Sequence, residues 1–346
     1  MVRLRVLAQG YFGMGNLGDD IFLSTWRQYL PGHEIITLPN PAKKAESTDA
    51  DVVFIGGGDI IVSNIDYYFH QEFLERPTYV YGVGVHQPLM GGTKPTLSSE
   101  DAKKYAIYFA GCREVWTRDP ESYNYLRSLG VPCSGVGPDL GWAYIQEGEI
   151  PPEVRRGKRN IGFIPIGYKG SQEVQEETLR ALAKNMGPED QLIFYPVLRK
   201  ANPYSSEHIR NELMAIACRV LCEENNLEPP LWSPYKGSLG ERWRELQAPD
   251  VVLSYKMHPS MAAMRNYVPT LVVPDTNKKL QMCKQVGVEK YMLSLLHSPE
   301  QKTQVICDFL QDTDGIRNTL KRNVPEVEGC AQDHLKNFIA RVLEGR

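Results

Sequence analysis

The amino-acid sequence predicts an α/β protein built as two doubly wound, Rossmann-like domains facing across a cleft. Short apolar runs alternate with helix-compatible segments along the chain, the pattern of parallel sheets covered on both faces by helices. At 346 residues the chain exceeds what one hydrophobic core usually serves. Midway, residues 147–159 read Glu-Gly-Glu-Ile-Pro-Pro-Glu-Val-Arg-Arg-Gly-Lys-Arg, charged and without apolar period, which marks a linker. The expected domains are residues 1–148 and 149–325, with a C-terminal helix in 326–346 crossing back to the first.

Leu4–Gln9 reads as the first strand, running into the glycine-rich turn 10–20 and a helix over Ile21–Tyr29. Asn16 and Asp19 are natural cap or turn residues at that entrance. Gly13, Gly15 and Gly18 satisfy the spacing G-x-G-x-x-G. A dinucleotide site also needs an acidic residue about 20 positions on, at the end of the second strand; here Ile35–Leu38 is followed by Pro39-Asn40-Pro41, so dinucleotide binding is disfavoured. Asp51–Ile55 is an apolar strand closed by Gly56-Gly57-Gly58-Asp59, where exposed backbone is expected at a site edge. Asp59 suits either a sugar hydroxyl or proton, or a capping role. Tyr79–Val85 is the next strand, and Ser98 starts a helix to Ala110, with Asp101 completing a near capping box. Glu114–Thr117 then delivers Arg118 to a strand-to-helix corner, with Asp119-Pro120 opening the helix Pro120–Leu129. Arg118 can pair with Asp119 or Asp139, or hold a carboxylate or phosphate.

The second series comprises a strand over Asn160–Ile164, a turn at 165–170, a helix over Gln172–Asn185, a strand over Gln191–Tyr195 and a long helix over Ser205–Glu224. A segment Pro230–Gly237 and a short helix over Leu239–Leu246 lead to the most informative stretch. There Val251–Ser254 reads as a buried strand, followed by Lys256 and His258 and a helix-compatible segment from Ser260 to Asn266. A cation and an imidazole thus fall at the carboxyl end of a strand, beside a helix N-terminus, where open α/β sheets bind anionic ligands. The strand Thr270–Val273 then delivers Lys278 and Lys279. Helices over Pro299–Gln311 and Glu326–Leu343 close the chain.

Composition narrows the function. Hydrophobic residues make up 42%, charged residues 23%, and the formal charge is −3. No general basic face for nucleic acid or anionic lipid follows from such a balance, so any anion site is made locally. The apolar start Val2–Ala8 is too short for a secretory signal, and no run is long enough to span a bilayer. A cytoplasmic location is expected. The seven cysteines lack metal-site or disulfide-framework spacings and are read as reduced, with Cys218 and Cys222 as packing residues. No metal-ligand cluster is visible, and neither metal nor cofactor is expected.

Taken together, the motifs Gly-Tyr-Phe-Gly-Met-Gly-Asn-Leu-Gly-Asp-Asp (10–20), Phe-Ile-Gly-Gly-Gly-Asp (54–59), Tyr-Gly-Val-Gly-Val (81–85), Thr-Arg-Asp-Pro-Glu-Ser (117–122), Pro-Asp (138–139) and Lys-Met-His (256–258) resemble the polysaccharide pyruvyl transferase family. The two-domain arrangement is similar to GT-B-type glycosyltransferases. The resemblance runs through nearly the whole chain in order. It implies phosphoenolpyruvate as donor and co-substrate, a sugar diol as acceptor, a cyclic pyruvate ketal as product and inorganic phosphate as leaving group, in polysaccharide or glycoconjugate synthesis. His258 is the expected general acid. Lys256, Lys278, Lys279 and Arg118 would hold the donor's anionic groups, while Asn16, Asp19, Gly58 and Asp59 would shape the acceptor side. The family commonly has arginine where Lys256 stands, and lysine is a point charge where arginine is a planar fork.

Two other classes of function fit the same outline. A GT-B-type glycosyltransferase or related sugar-nucleotide enzyme would need an apolar base pocket in the second domain. A non-catalytic saccharide-binding relative would keep acceptor binding without turnover. A lipid-linked acceptor would bring the protein to a membrane surface.

Overall fold

The computed structural model describes residues 3–13, 15–38, 49–85, 97–151, 157–167, 170–196, 206–274 and 276–344. Pro39-Asn40-Pro41, the middle of the linker and the turn residues 168–169 lie outside the described residues. The chain divides into two compact units. One comprises Met1–Ile145, Thr276–Lys278 and Val327–Arg346, the other Gln146–Asp275 and Lys279–Glu326.

In the first unit the elements are β1 (Arg5–Gln9), α1 (Leu17–Tyr29), β2 (Glu34–Thr37), β3 (Val52–Ile61), β4 (Thr78–Val85), α2 (Ser99–Gly111), β5 (Glu114–Thr117), α3 (Pro120–Ser128), β6 (Gly135–Val136) and α4 (Leu140–Ala143). The strands form one parallel sheet, β2-β1-β3-β4-β5-β6. Strand order reverses between β1 and β3, and such a reversal opens a crevice at the strands' carboxyl ends. Capping chemistry fixes the helix starts: Ser98 and Asp101 complete a reciprocal capping box on α2, and Asp119 caps α3 with Pro120 in its first turn.

One sequence expectation for this sheet is corrected. The strand beginning at Asp51 does not stop at Ile55 but continues through Gly56-Gly57-Gly58-Asp59 to Ile61. Gly57 and Gly58 sit at φ +91° and +87°, conformations that side-chain-bearing residues rarely adopt. They do not end the strand, because β4 continues alongside: Gly58 pairs with Val83, and after a register shift between Gly58 and Ile61, Ile61 pairs with Val85.

One sheet face packs Val53, Ile55, Val80 and Val83 with Phe69, Tyr105, Tyr108 and Phe109. Trp26, Phe54, Tyr79 and Tyr81 gather around Phe338, from the C-terminal segment, with ring centroids 6.2, 5.7, 5.7 and 4.5 Å from it. One turn earlier, His334 Nδ1 lies 2.7 Å from the Tyr81 hydroxyl, and Arg341 bonds Glu114 at 2.9 Å. Burial, helped by Arg341 and opposed by Glu114, holds the His334 imidazole below its ordinary 6.5. The unfolded chain therefore takes up this proton more readily than the folded one. Stability should fall as pH drops through and below the usual histidine range. His334→Gln should flatten that slope in thermal melts across pH; equal slopes would remove His334 from the account.

The second unit contains β7 (Arg159–Ile164), α5 (Gln172–Ala183), β8 (Asp190–Phe194), α6 (Ser206–Glu224), β9 (Leu231–Trp232), α7 (Leu239–Glu245), β10 (Val251–Ser254), α8 (Met257–Arg265), β11 (Thr270–Val272), α9 (Asn277–Val286), α10 (Pro299–Gln311) and α11 (Thr313–Glu344). The first residues of α9 and the last part of α11 group with the first unit. Its parallel sheet has the order β11-β10-β7-β8-β9, which reverses between β7 and β10. Helix α11 starts well before Glu326, because Pro325 is accommodated inside it. Proline lacks an N–H and usually ends a helix, so a sequence-based start after it was natural. Arg242 on α7 is fully buried. It donates to the carbonyls of Pro196 and Ser233 and pairs with Glu245 at 2.7 Å, tying together the ends of β8 and β9.

Candidate functional site

In the second unit the strand reversal places β7 and β10 side by side, with Ser254 paired to Ile164 at their carboxyl ends. Only Tyr255 and Lys256 separate β10 from α8. Lys256 is the N-cap, in extended conformation, and two serines fix it. Its N–H donates to Ser254 Oγ at 3.1 Å, and its carbonyl accepts from Ser254 Oγ at 2.9 Å and Ser260 Oγ at 2.7 Å. The helix therefore begins at Met257 rather than Ser260. Pro259 falls in the first turn, where a missing N–H costs nothing. His258 consequently sits on that first turn, half-buried, at the end of a helix whose dipole attracts anions.

Lys279 is buried, and its ammonium donates to the carbonyls of Tyr255 and Val273. These carbonyls follow β10 and β11, so Lys279 ties the two strand ends beneath the entrance of α8. The structure thus brings Lys256, His258 and Lys279 to one sheet edge, with the visible bonds of Lys279 directed to main chain.

Residues Arg118, Asp59 and Lys278 meet in the first unit. Arg118 follows β5 and is 3% exposed. Its guanidinium bonds Asp59, lies 3.4 Å from Asp139 and 3.9 Å from Asp119. Burial alone would lower its proton affinity, but Asp59, Asp139 and Asp119 together raise it. Asp119 and Asp139 also cap α3 and α4 through the N–H groups of Ser122 and Gly141. Of the two roles the sequence leaves open for Arg118, the geometry displays the ion pair. Lys278 reaches Asp59 at 2.8 Å. Two residues expected on the donor side therefore converge on one expected on the acceptor side.

Space for this cluster comes from Gly84. A Cβ there would stand 2.7 Å from Asp59 Oδ1 and 2.8 Å from Arg118 Nε. Gly84→Ala should force the pair apart and lower stability by about 1–3 kcal/mol, as other overpacked sites do. Chemical denaturation would measure it, and an unchanged midpoint would mean that the pair shifts without cost.

Around the same sheet edge, Asn16 caps α1 by accepting from the Gly18 N–H at 3.1 Å. Asp19 Oδ1 lies 3.3 Å from where a Gly58 Cβ would be, so Gly58 admits the carboxylate. Tyr67 and Tyr68, with ring centroids 4.7 Å apart, stand nearby. Burial first, then Tyr67, Asp19 and Tyr11, push the Tyr68 hydroxyl's ionisation well up. Sequence reasoning offers the pairing of Arg118 with Asp119 or Asp139 but neither its pairing with Asp59 nor these tyrosines; the second glycine of Tyr-Gly-Val-Gly-Val is the one signal for the space that Gly84 leaves.

The model of the polysaccharide pyruvyl transferase family matches residues 16–277. The chain belongs to this family. The matched span includes Asn16, Asp19, Gly58, Asp59, Arg118, Lys256 and His258, whereas Lys278 and Lys279 fall just beyond it. Among curated proteins, none matches the chain significantly. Solved structures similar to this family member include a spinosyn rhamnosyltransferase, SpnG, complexed with spinosyn aglycone (TM-score 0.57, 14% identity, 99% of this chain and 100% of that one). A structure assigned as a UDP-N-acetylglucosamine 2-epimerase from Listeria monocytogenes is also similar (TM-score 0.65, 11% identity, 100% and 98%), as is an O-GlcNAc transferase variant from Thermobaculum terrenum (TM-score 0.52, 13% identity, 98% and 67%). At these identities the likeness is one of fold: two parallel α/β sheets of the kind found in GT-B glycosyltransferases and epimerases. Among the described residues there is no group of acidic, histidine and cysteine side chains able to hold a metal ion, and no helix long and apolar enough to cross a membrane.

Proposed function

We propose that this pyruvyl transferase family member moves pyruvate from phosphoenolpyruvate onto a sugar diol as a cyclic ketal, releasing inorganic phosphate. The observation that carries the reading is the entrance of α8, where Lys256 and His258 stand on one helix end beside the strand reversal. A donor with a phosphate and a carboxylate needs a fixed cation and aligned N–H dipoles. Lys256 and the α8 N-terminus are assigned to those anionic groups, with Lys279 fixing the strand ends below them.

In the proposed reaction His258 gives its proton to the methylene carbon of the enol phosphate. The adjacent carbon becomes oxocarbenium-like, and a sugar hydroxyl attacks it, losing its own proton to a base. Phosphate then departs from that carbon, and the second hydroxyl closes the ketal with loss of a second proton. The acceptor is assigned to the first unit, with Asp19 and Asp59 as acceptors of hydroxyl hydrogen bonds and Gly58 leaving room for the Asp19 carboxylate. Asn16 serves through the cap that positions Asp19. Arg118 and Lys278 set the charge and orientation of Asp59.

The test is phosphate release from phosphoenolpyruvate in the presence of a panel of glycosides, with the ketal methyl group followed by NMR. Release that depends on a glycoside, with a new ketal methyl signal, is expected. Release of nucleoside diphosphate from a sugar nucleotide instead, with no reaction of phosphoenolpyruvate, would overturn the proposal.

A further inference from the structure

Helix α6 is apolar on two opposite faces. Met214, Cys218, Leu221 and Cys222 are buried within the second unit. Ile209, Leu213, Ile216 and Val220 point the other way and remain 47%, 44%, 60% and 45% exposed. An ordinary surface helix has one apolar stripe, which it buries against the core; a second stripe on the opposite face calls for a second cover. The outer residues also follow the alternating four- and three-residue steps of a coiled-coil seam. Random exposed hydrophobics do not keep that spacing, and a contiguous apolar stripe marks an interaction surface.

The charges beside the stripe indicate what covers it. Glu212, Glu223 and Glu224 flank it against Arg210 and Arg219, and the Arg210 Nε is turned inward to the Gly167 carbonyl. A border of mixed sign, without an excess of lysine and arginine, disfavours a membrane surface, whose docking helices are bordered by those cations. It suits a second copy of the same helix. Turned antiparallel about a two-fold axis between Met214 and Ala215, two stripes place Ile209 opposite Val220 and Leu213 opposite Ile216. The same operation sets Glu212 of each copy beside Arg219 of the other. In a two-fold interface each contact occurs twice, so two complementary ion pairs border one apolar seam. Arg219 presently meets Glu223 at 3.2 Å, with both side chains exposed. Such a pair is weak and easily exchanged.

We propose that α6 is a self-association surface through which two copies of this chain pair antiparallel. Four side chains fall short of the roughly 800 Å² per partner of a standard stable interface, so the dimer is reversible and concentration-dependent. The proposal does not depend on the reaction assigned above.

Sedimentation velocity of the full chain over a concentration series tests it. The weight-average mass should rise from one copy toward two. Ile216→Glu should raise the dissociation constant by about tenfold or more, since a carboxylate at the centre of the seam is desolvated by pairing. Glu212→Arg and Arg219→Glu should each weaken the dimer, by like-charge contact, and the double variant should regain it. Unchanged urea midpoints would establish that the variants fold. A single one-copy mass at every concentration would overturn the proposal, as would a double variant no better than either single one. So would sedimentation of the wild-type chain with phosphatidylglycerol vesicles that Ile216→Glu abolishes, which would assign the stripe to lipid.

Discussion

His258→Ala should lower turnover of phosphoenolpyruvate by about 10²–10⁴-fold while leaving the fold and donor binding in place. The magnitude is that of losing a positioned general acid. Protonation of the methylene carbon starts the proposed sequence, so its loss should appear in kcat rather than in KM. The α8 entrance itself survives the change, because the cap rests on Ser254, Lys256 and Ser260 rather than on the imidazole. Lys256→Ala should act differently, raising KM for the donor through loss of a fixed charge. Lys256→Arg should retain donor binding, because the guanidinium keeps a fixed positive charge at the same helix end. Steady-state phosphate release together with donor titration by calorimetry separates these effects. Turnover near wild type in His258→Ala would remove the imidazole from the reaction.

Arg118→Leu is expected to cost about 3–5 kcal/mol of stability, the usual loss when one partner of a buried ion pair is removed. Asp59, Asp119 and Asp139 have side chains only 10%, 9% and 5% exposed, so the leucine variant leaves three shielded carboxylates facing one another. Lys278 can still neutralise Asp59 at 2.8 Å, while Asp119 and Asp139 lose the guanidinium. Arg118→Lys should recover part of the loss, because an ammonium is a single point charge and cannot span three carboxylates as a planar guanidinium does. Denaturant unfolding reads both variants. A cost under about 1 kcal/mol for the leucine variant, the range of exposed pairs, would mean that the carboxylates protonate or rehydrate instead.

The parts of this molecule legible in the sequence are those decided by neighbours along the chain. Ser98 and Asp119 announce α2 and α3 because capping acts over three residues, and the corner carrying Lys256 and His258 follows from an apolar strand ending at a polar turn. The tract Gly56-Gly57-Gly58-Asp59 reads locally as a terminus. Its continuation as strand is decided by β4, which pairs with it on both sides of the register shift. For the same reason the meeting of Asp59 with Arg118 and Lys278 was not legible. Their distances along the chain carry no periodicity, and each side chain taken singly suits a solvated loop as well as a buried pair. Lys279 shows the limit most clearly: adjacent lysines look alike in sequence, yet one meets Asp59 and the other lies under the ends of β10 and β11.

The aromatic cluster around Phe338 bears on how the chain folds as it is made. Residues 1–145 leave the ribosome well before the ring that fills the space among Trp26, Phe54, Tyr79 and Tyr81, because Phe338 is translated only after the second unit's residues. Until then the nascent first sheet carries an open apolar socket, a natural target for chaperones. An amino-terminal fragment cut at the linker would keep that socket for good, so attempts to express the first unit alone should include residues 327–346 as a tethered or separate peptide.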